Sequence, residues 1–104
     1  MMQASVEVRA ADEVALSGDL RFATVSGVRE RLERLIATGE SHCVVDFSAV
    51  TSVDSAALSL WLCCQREALE RNIDLQAHHV PEDLLSIAGL VGLEHLFRSA
   101  TSDQ

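Results

Sequence analysis

The segment Cys43-Val44-Val45-Asp46-Phe47 is short, rich in β-branched residues and apolar at positions that face both sides of a strand. Strands with this pattern lie in the middle of a sheet covered by helices, because a half-exposed strand alternates apolar with polar residues. The segment therefore predicts an α/β fold around a central strand over residues 43–47. A chain of 104 residues forms about one such domain, which buries roughly two-thirds of its unfolded surface.

Alternating apolar and polar residues predict three more strands. Such alternation over residues 6–8 and again over 14–16 predicts two short strands joined near 11–12 as a hairpin, with a turn over 17–20 after the second. The alternation over residues 73–77 predicts a last strand with one buried face.

Helical periodicity appears in the segments between and after these strands. Gly39 is expected to stop the first helix, and a seven-residue loop over 48–54 to precede the second. The predicted helices cover residues 24–38, a segment beginning at Ser55, and a segment from Pro81 to about Gly92 followed by a short turn over 93–97.

The resulting order is β-β-α-β-α-β-α-α. It predicts a mixed sheet of about four strands with right-handed crossovers. Residues 1–97 are expected to form the single domain, and residues 98–104 a flexible C-terminal tail.

Composition disfavours several classes of partner. Sixteen acidic against eight basic residues give a formal net charge of -8, so nucleic acid and anionic membrane surfaces are poor partners. No apolar run approaches the roughly 18 residues of a spanning helix, and the N-terminus lacks the pattern of a signal peptide. We expect a cytoplasmic protein that does not insert into a membrane.

The residues that carry metal or catalytic chemistry are not arranged as a site. Three cysteines are an odd count, which argues against a disulfide framework, and no Gly-rich phosphate loop or Gly-x-Ser-x-Gly elbow is present. We expect no metal, no cofactor and no catalytic residue. The candidate metal ligands form adjacent pairs without the usual spacers: His42-Cys43, Cys63-Cys64 and His78-His79.

The start of the second long helix is the strongest candidate for a functional site. Asp54 stands just before an apolar periodic run, where its side chain can cap the first backbone N–H groups. Ser55 then lies in the first turn, at the positive end of the helix dipole. Its hydroxyl can carry a phosphate or bond to a partner there, or it is a plain solvent-facing serine.

This helix has more apolar surface than one packing face requires. Two interpretations remain open: the helix is buried on two sides of the domain, or part of its apolar arc docks on another protein or a second copy. Trp61, the only tryptophan, is correspondingly either a core residue or an interface residue.

Three segments together resemble a STAS domain, and the resemblance covers nearly the whole chain. The aspartate-serine pair at the helix start is typical of STAS domains in general, and the first and last segments are more similar to the MlaB-like group. The segments read LSGDL over residues 16–20, VVDFSAVTSVDSAAL over 44–58 and LVGLEHLF over 90–97.

The resemblance implies a regulatory partner and no catalysis. MlaB-like subunits bind the ATPase of an ABC transporter that moves phospholipids between bacterial membranes, and they support its assembly and activity. It also implies a peripheral location on the inner face of the inner membrane, through the ATPase. The positions implied to bind the partner are Thr51, Ser52, Asp54, Ser55, Ala56 and Ser59.

A second STAS class gives the alternative. In anti-sigma factor antagonists the equivalent serine is phosphorylated by a partner kinase, which makes Ser55 a candidate phosphoacceptor. That class usually has a glycine-containing pair after this serine, whereas Ala56 and Ala57 stand here.

Overall fold

The computed structural model describes residues 4–39 and 41–97. The tail predicted over 98–104 lies outside the described residues. The strands are β1 (Ser5–Ala10), β2 (Glu13–Leu20), β3 (His42–Val53) and β4 (Asp74–His78). The helices are α1 (Val25–Thr38), α2 (Ser55–Glu70) and α3 (Glu82–Leu90), and a 3₁₀ helix follows over Glu94–Phe97.

The four strands form one mixed sheet in the order β1-β2-β3-β4. β1 and β2 are antiparallel, as the predicted hairpin requires, and β2, β3 and β4 are parallel to one another. Helices α1 and α2 connect consecutive parallel neighbours in the same direction, so right-handed crossovers place both on the same face of the sheet. The predicted α/β architecture and element order are confirmed.

β2 and β3 are longer than the sequence predicts. The expected turn over residues 17–20 and the expected loop over residues 48–54 were both wrong, because the two segments pair with each other as strand. Leu20 lies opposite Val53 at the end of this pairing, and the register shifts twice along it. Most residues of both segments are polar or small, so strand structure here depends on pairing and is not visible in local alternation.

Two glycines mark helix ends for different reasons. Gly39 follows α1, and a Cβ built there would lie 2.9 Å from the carbonyl oxygen of Leu35, too close for any other residue without a shift. Gly92 follows α3 with φ of +74°, a left-handed conformation that glycine adopts without strain. Both predicted stops are therefore confirmed.

The hydrophobic core lies between the helices and one face of the sheet. Trp61 of α2 is 1% exposed and packs on Phe47 of β3 and Phe97 of the 3₁₀ helix, with ring centroids 5.6 Å away in both cases. Its indole N–H donates to the carbonyl oxygen of Leu96 at 2.7 Å. Trp61 is thus a core residue.

The sheet face opposite α1 and α2 carries a cluster of polar side chains around Asp46. Asp46 of β3 is buried there and accepts hydrogen bonds from Arg9 Nη1 at 2.6 Å, from the Ser48 backbone N–H at 2.9 Å and from the Ser48 hydroxyl at 3.1 Å. His79 Nδ1 lies 3.0 Å from the same carboxylate. Asp46 is therefore buried on this face by its own hydrogen-bonding partners.

Candidate partner-binding site

The ends of β2 and β3 meet beside the start of α2, and Asp19 connects them. Its Oδ1 accepts hydrogen bonds from the Ser52 hydroxyl at 2.7 Å and the Thr51 hydroxyl at 3.0 Å. The register of the two strands causes this contact, because Asp19 stands opposite Ser52. Two of the predicted partner-binding residues thus have their hydroxyl donors directed at a carboxylate of the same domain.

Asp54 caps α2, as the sequence predicts. Its backbone is extended, with φ of -137°, and its Oδ1 accepts from the Ala56 backbone N–H at 2.8 Å. Its other oxygen, Oδ2, accepts from the backbone N–H of Phe22 at 3.1 Å. One carboxylate therefore fixes both the first turn of α2 and the turn between β2 and α1.

Ser55 and Ser59 are exposed on α2, one helical turn apart, and Ala56 beside them is half-buried. Ser55 is the first helical residue, and no hydrogen bond involves its hydroxyl within residues 4–39 and 41–97. An anion at this position would meet the positive end of the α2 dipole. The structure thus brings the six predicted positions together at one end of the sheet.

A groove of about 390 Å³ lies between α1 and α2 beside these serines. Phe22, at the turn before α1, is 85% exposed at the groove, although it is a large apolar side chain. Arg29 Nη1 lies 3.9 Å from the sulfur of Cys63 across the two helices. The groove is lined mainly by Phe22, Val25, Arg29, Ser55, Leu60 and Cys63.

The outward face of α2 continues from the serines to two exposed leucines. Leu62 is 38% exposed and Leu69 is 78% exposed, and both lie at seven-residue intervals from Ser55 on one side of the helix. The rest of the apolar arc of α2 is buried against the sheet, α1 and α3. Most of the apolar surface of α2 is therefore buried inside the domain, as the first of the two interpretations of this helix expects. The stripe of Leu62 and Leu69 remains exposed to solvent.

The described residues contain neither a metal-binding cluster nor a membrane-spanning helix. No group of three or more His, Cys, Asp or Glu side chains there is placed to hold a metal ion. Cys43, Cys63 and Cys64 are free thiols. None of the helices in the described ranges combines the length and the apolarity needed to cross a bilayer.

A family model described as "Mlab, STAS domain" matches residues 4–98. The chain belongs to the STAS family. The STAS resemblance of the three sequence segments is thus confirmed. No curated protein sequence matches the chain.

Solved STAS structures share the fold at low sequence identity. The anti-sigma factor antagonist SpoIIAA in its unphosphorylated form has a TM-score of 0.71 and 18% identity, over 96% of this chain and 90% of that chain. The Bacillus protein SpoIIAA in its phosphorylated form has a TM-score of 0.68 and 17% identity, over 96% and 93%. An anti-sigma factor antagonist from Mycobacterium paratuberculosis has a TM-score of 0.68 and 21% identity, over 99% and 89%.

Sequence reasoning missed three residues of this STAS site. Asp19 was assigned to a turn, and Phe22 and Arg29 were not considered as site residues. The motif LSGDL over residues 16–20 contained the only local signal, an aspartate beside a predicted strand end. The contacts of these residues join positions 32 to 34 apart in the chain, which no local pattern reports.

Proposed function

We propose that this STAS domain is a non-catalytic cytoplasmic subunit that binds the ATPase of an ABC transporter for phospholipids. In this role it supports assembly and activity of the ATPase in a pathway of the Mla type, which maintains the lipid asymmetry of the outer membrane. The MlaB description of the matching family model supports this choice among STAS functions. The domain would lie at the inner face of the inner membrane through its partner.

The observation that carries the proposal is the exposed first turn of α2. Asp54 is held by two backbone N–H groups, whereas the Ser55 hydroxyl beside it is open to solvent. A rigid turn with small side chains allows another backbone to approach closely at little cost in conformational entropy. Two exposed apolar groups, Phe22 at the groove and Leu62 two turns along α2, supply area that a partner can remove from water.

The proposal is tested by titrating the purified domain against the purified ATPase. We expect Ser55→Arg to weaken binding at least about tenfold, because a long charged side chain blocks close approach, and Ser55→Ala to bind within about threefold of the wild type. Ser86→Arg is the matched control, since Ser86 is exposed on α3, away from the site. Native affinity of Ser55→Arg would contradict the assignment of the site.

The second candidate is an anti-sigma factor antagonist switched by phosphorylation of Ser55. Its support is the fold shared with SpoIIAA in both phosphorylation forms, together with the exposure of Ser55 at a helix N-terminus. Ala56 and Ala57 in place of a glycine-containing pair count against it. Mass spectrometry of the Ser55 peptide from native cells separates the two: a phosphorylated peptide recovered with a serine kinase favours the switch.

A further inference from the structure

We infer that the groove between α1 and α2 receives a segment of the ATPase that carries an apolar side chain next to a carboxylate. This inference rests on the proposed function and names the chemistry of the partner at the same site. It extends the contact from the serines of α2 to the turn before α1 and to Arg29.

The inference of an apolar side chain in the partner segment rests on Phe22. This side chain is 85% exposed at the groove, and its backbone is held by Asp54 and by the turn before α1. Val25 and Leu60 line the same groove. An exposed aromatic side chain on an anchored backbone, beside apolar groove residues, offers area that a partner side chain can remove from water.

The inference of a partner carboxylate rests on the hydrogen-bonding groups that line the groove and have no acceptor there. The Asp54 carboxylate lines the groove, but its two oxygens already accept from Ala56 and Phe22. Arg29 can only donate, and within the described residues its guanidinium contacts the sulfur of Cys63 and forms no salt bridge, although that contact and, after it, the nearby charges of Glu33 and Glu30 on the same helix raise its pKa. A negatively charged acceptor therefore complements Arg29 within the groove, and in a protein segment that group is a carboxylate.

The test compares matched pairs of variants in titrations against the purified ATPase. Phe22→Ala is paired with Leu90→Ala, because Leu90 is 86% exposed at the far end of α3. Arg29→Glu is paired with Arg31→Glu, which makes the same charge change on the opposite flank of α1. We expect Phe22→Ala and Arg29→Glu each to weaken binding at least about tenfold, and the two controls to stay within about twofold.

The salt dependence of binding tests for a partner carboxylate at Arg29. Raising the ionic strength should weaken the wild type and shrink its advantage over Arg29→Glu, because screening reduces an exposed charge pair. Native affinity of both groove variants, with Ser55→Arg still impaired, would overturn the groove inference and leave the proposed function standing. A wild type that does not bind the ATPase would overturn the proposed function itself. A loss of affinity with Phe22→Ala but not with Arg29→Glu would overturn the inference that the partner segment carries a carboxylate.

Discussion

The guanidinium of Arg9 lies 2.6 Å from the carboxylate of Asp46, although the whole of β2 separates their two strands. The β2 residue opposite Asp46 is Ala15, whose small side chain leaves the path across the sheet open. The contact ties the edge strand β1 to the centre of the sheet on the face opposite α1 and α2.

The first prediction concerns the pH dependence of this contact. Burial raises the pKa of the Asp46 carboxyl, but the hydrogen bonds from Ser48, His79 and Arg9 outweigh it and lower the pKa to about 2. An unfolded aspartate titrates near 3.9, so the carboxylate stabilises the fold by about 2 kcal/mol above that pH. This contribution is lost as the pH falls from about 4 through 2.

Urea unfolding of the wild type and of Asp46→Asn between pH 2 and 7 measures this contribution of Asp46 to stability. The difference in their free energies of unfolding should be constant above about pH 5 and shrink below about pH 4. Glu7→Gln, an exposed change on β1, should show no such trend. A difference between wild type and Asp46→Asn that does not change with pH would contradict the lowered pKa.

The second prediction concerns the double role of Asp54. Asp54→Ala removes the acceptors of two backbone N–H groups, those of Ala56 and Phe22, and should lower the free energy of unfolding by about 1–2 kcal/mol. Asp54→Asn keeps one acceptor oxygen and should lose about half as much. Chemical denaturation of both variants checks this; near-native stability of Asp54→Asn would show that only one of the two bonds contributes, and losses equal to those of Asp54→Ala would contradict the prediction.

The third prediction concerns Trp61. Trp61→Phe removes the donor to the Leu96 carbonyl and leaves that oxygen only the longer bond from Gln65, at 3.4 Å. We expect a loss of about 2 kcal/mol in the free energy of unfolding, because a buried acceptor loses its main partner and the indole leaves a void. Leu69→Ala, at a site 78% exposed, should change it by less than about 0.5 kcal/mol. Similar effects of the two changes would rule out the core role of Trp61.

The fourth prediction concerns the thiols. Burial raises the pKa of the Cys64 thiol far above its usual value, and burial followed by the nearby Asp12 charge raises that of Cys43. Both are therefore poor sources of thiolate and are shielded from reagents, whereas Cys63 is half-exposed. A disulfide reagent should label Cys63 of the folded protein at least about tenfold faster than Cys43 and Cys64. Cys63→Ser should abolish the fast phase; a fast phase that survives would place the reactive thiol elsewhere.

The positions of the helices and strands could be predicted from periodicity, but the extent of β2 and β3 could not. Residues 17–20 and 48–53 are mostly polar or small, and they are strand because they pair with each other along the sheet. A pattern read along one segment contains no information on what the segment will pair with. The prediction therefore ended β2 where its apolar alternation ended and β3 where its apolar run ended.

The contacts of the candidate site were likewise only partly predictable from the sequence. The capping of α2 by Asp54 could be predicted, because its acceptor and the Ala56 N–H are two residues apart. The bond from Phe22 to Asp54 and those from Thr51 and Ser52 to Asp19 join residues about thirty positions apart. Those contacts exist only once β2 and β3 lie side by side, so the groove beside them was also beyond local reasoning.

The open hydroxyl of Ser55 has a consequence for how sequences of this kind can change. Because the fixed geometry of the α2 start comes from Asp54, folding makes little demand on the residue that follows it. Most replacements there should leave the domain intact, so under the proposed function the partner decides which are tolerated. Position 55 can therefore diverge together with a binding partner during evolution, without a compensating change in the core.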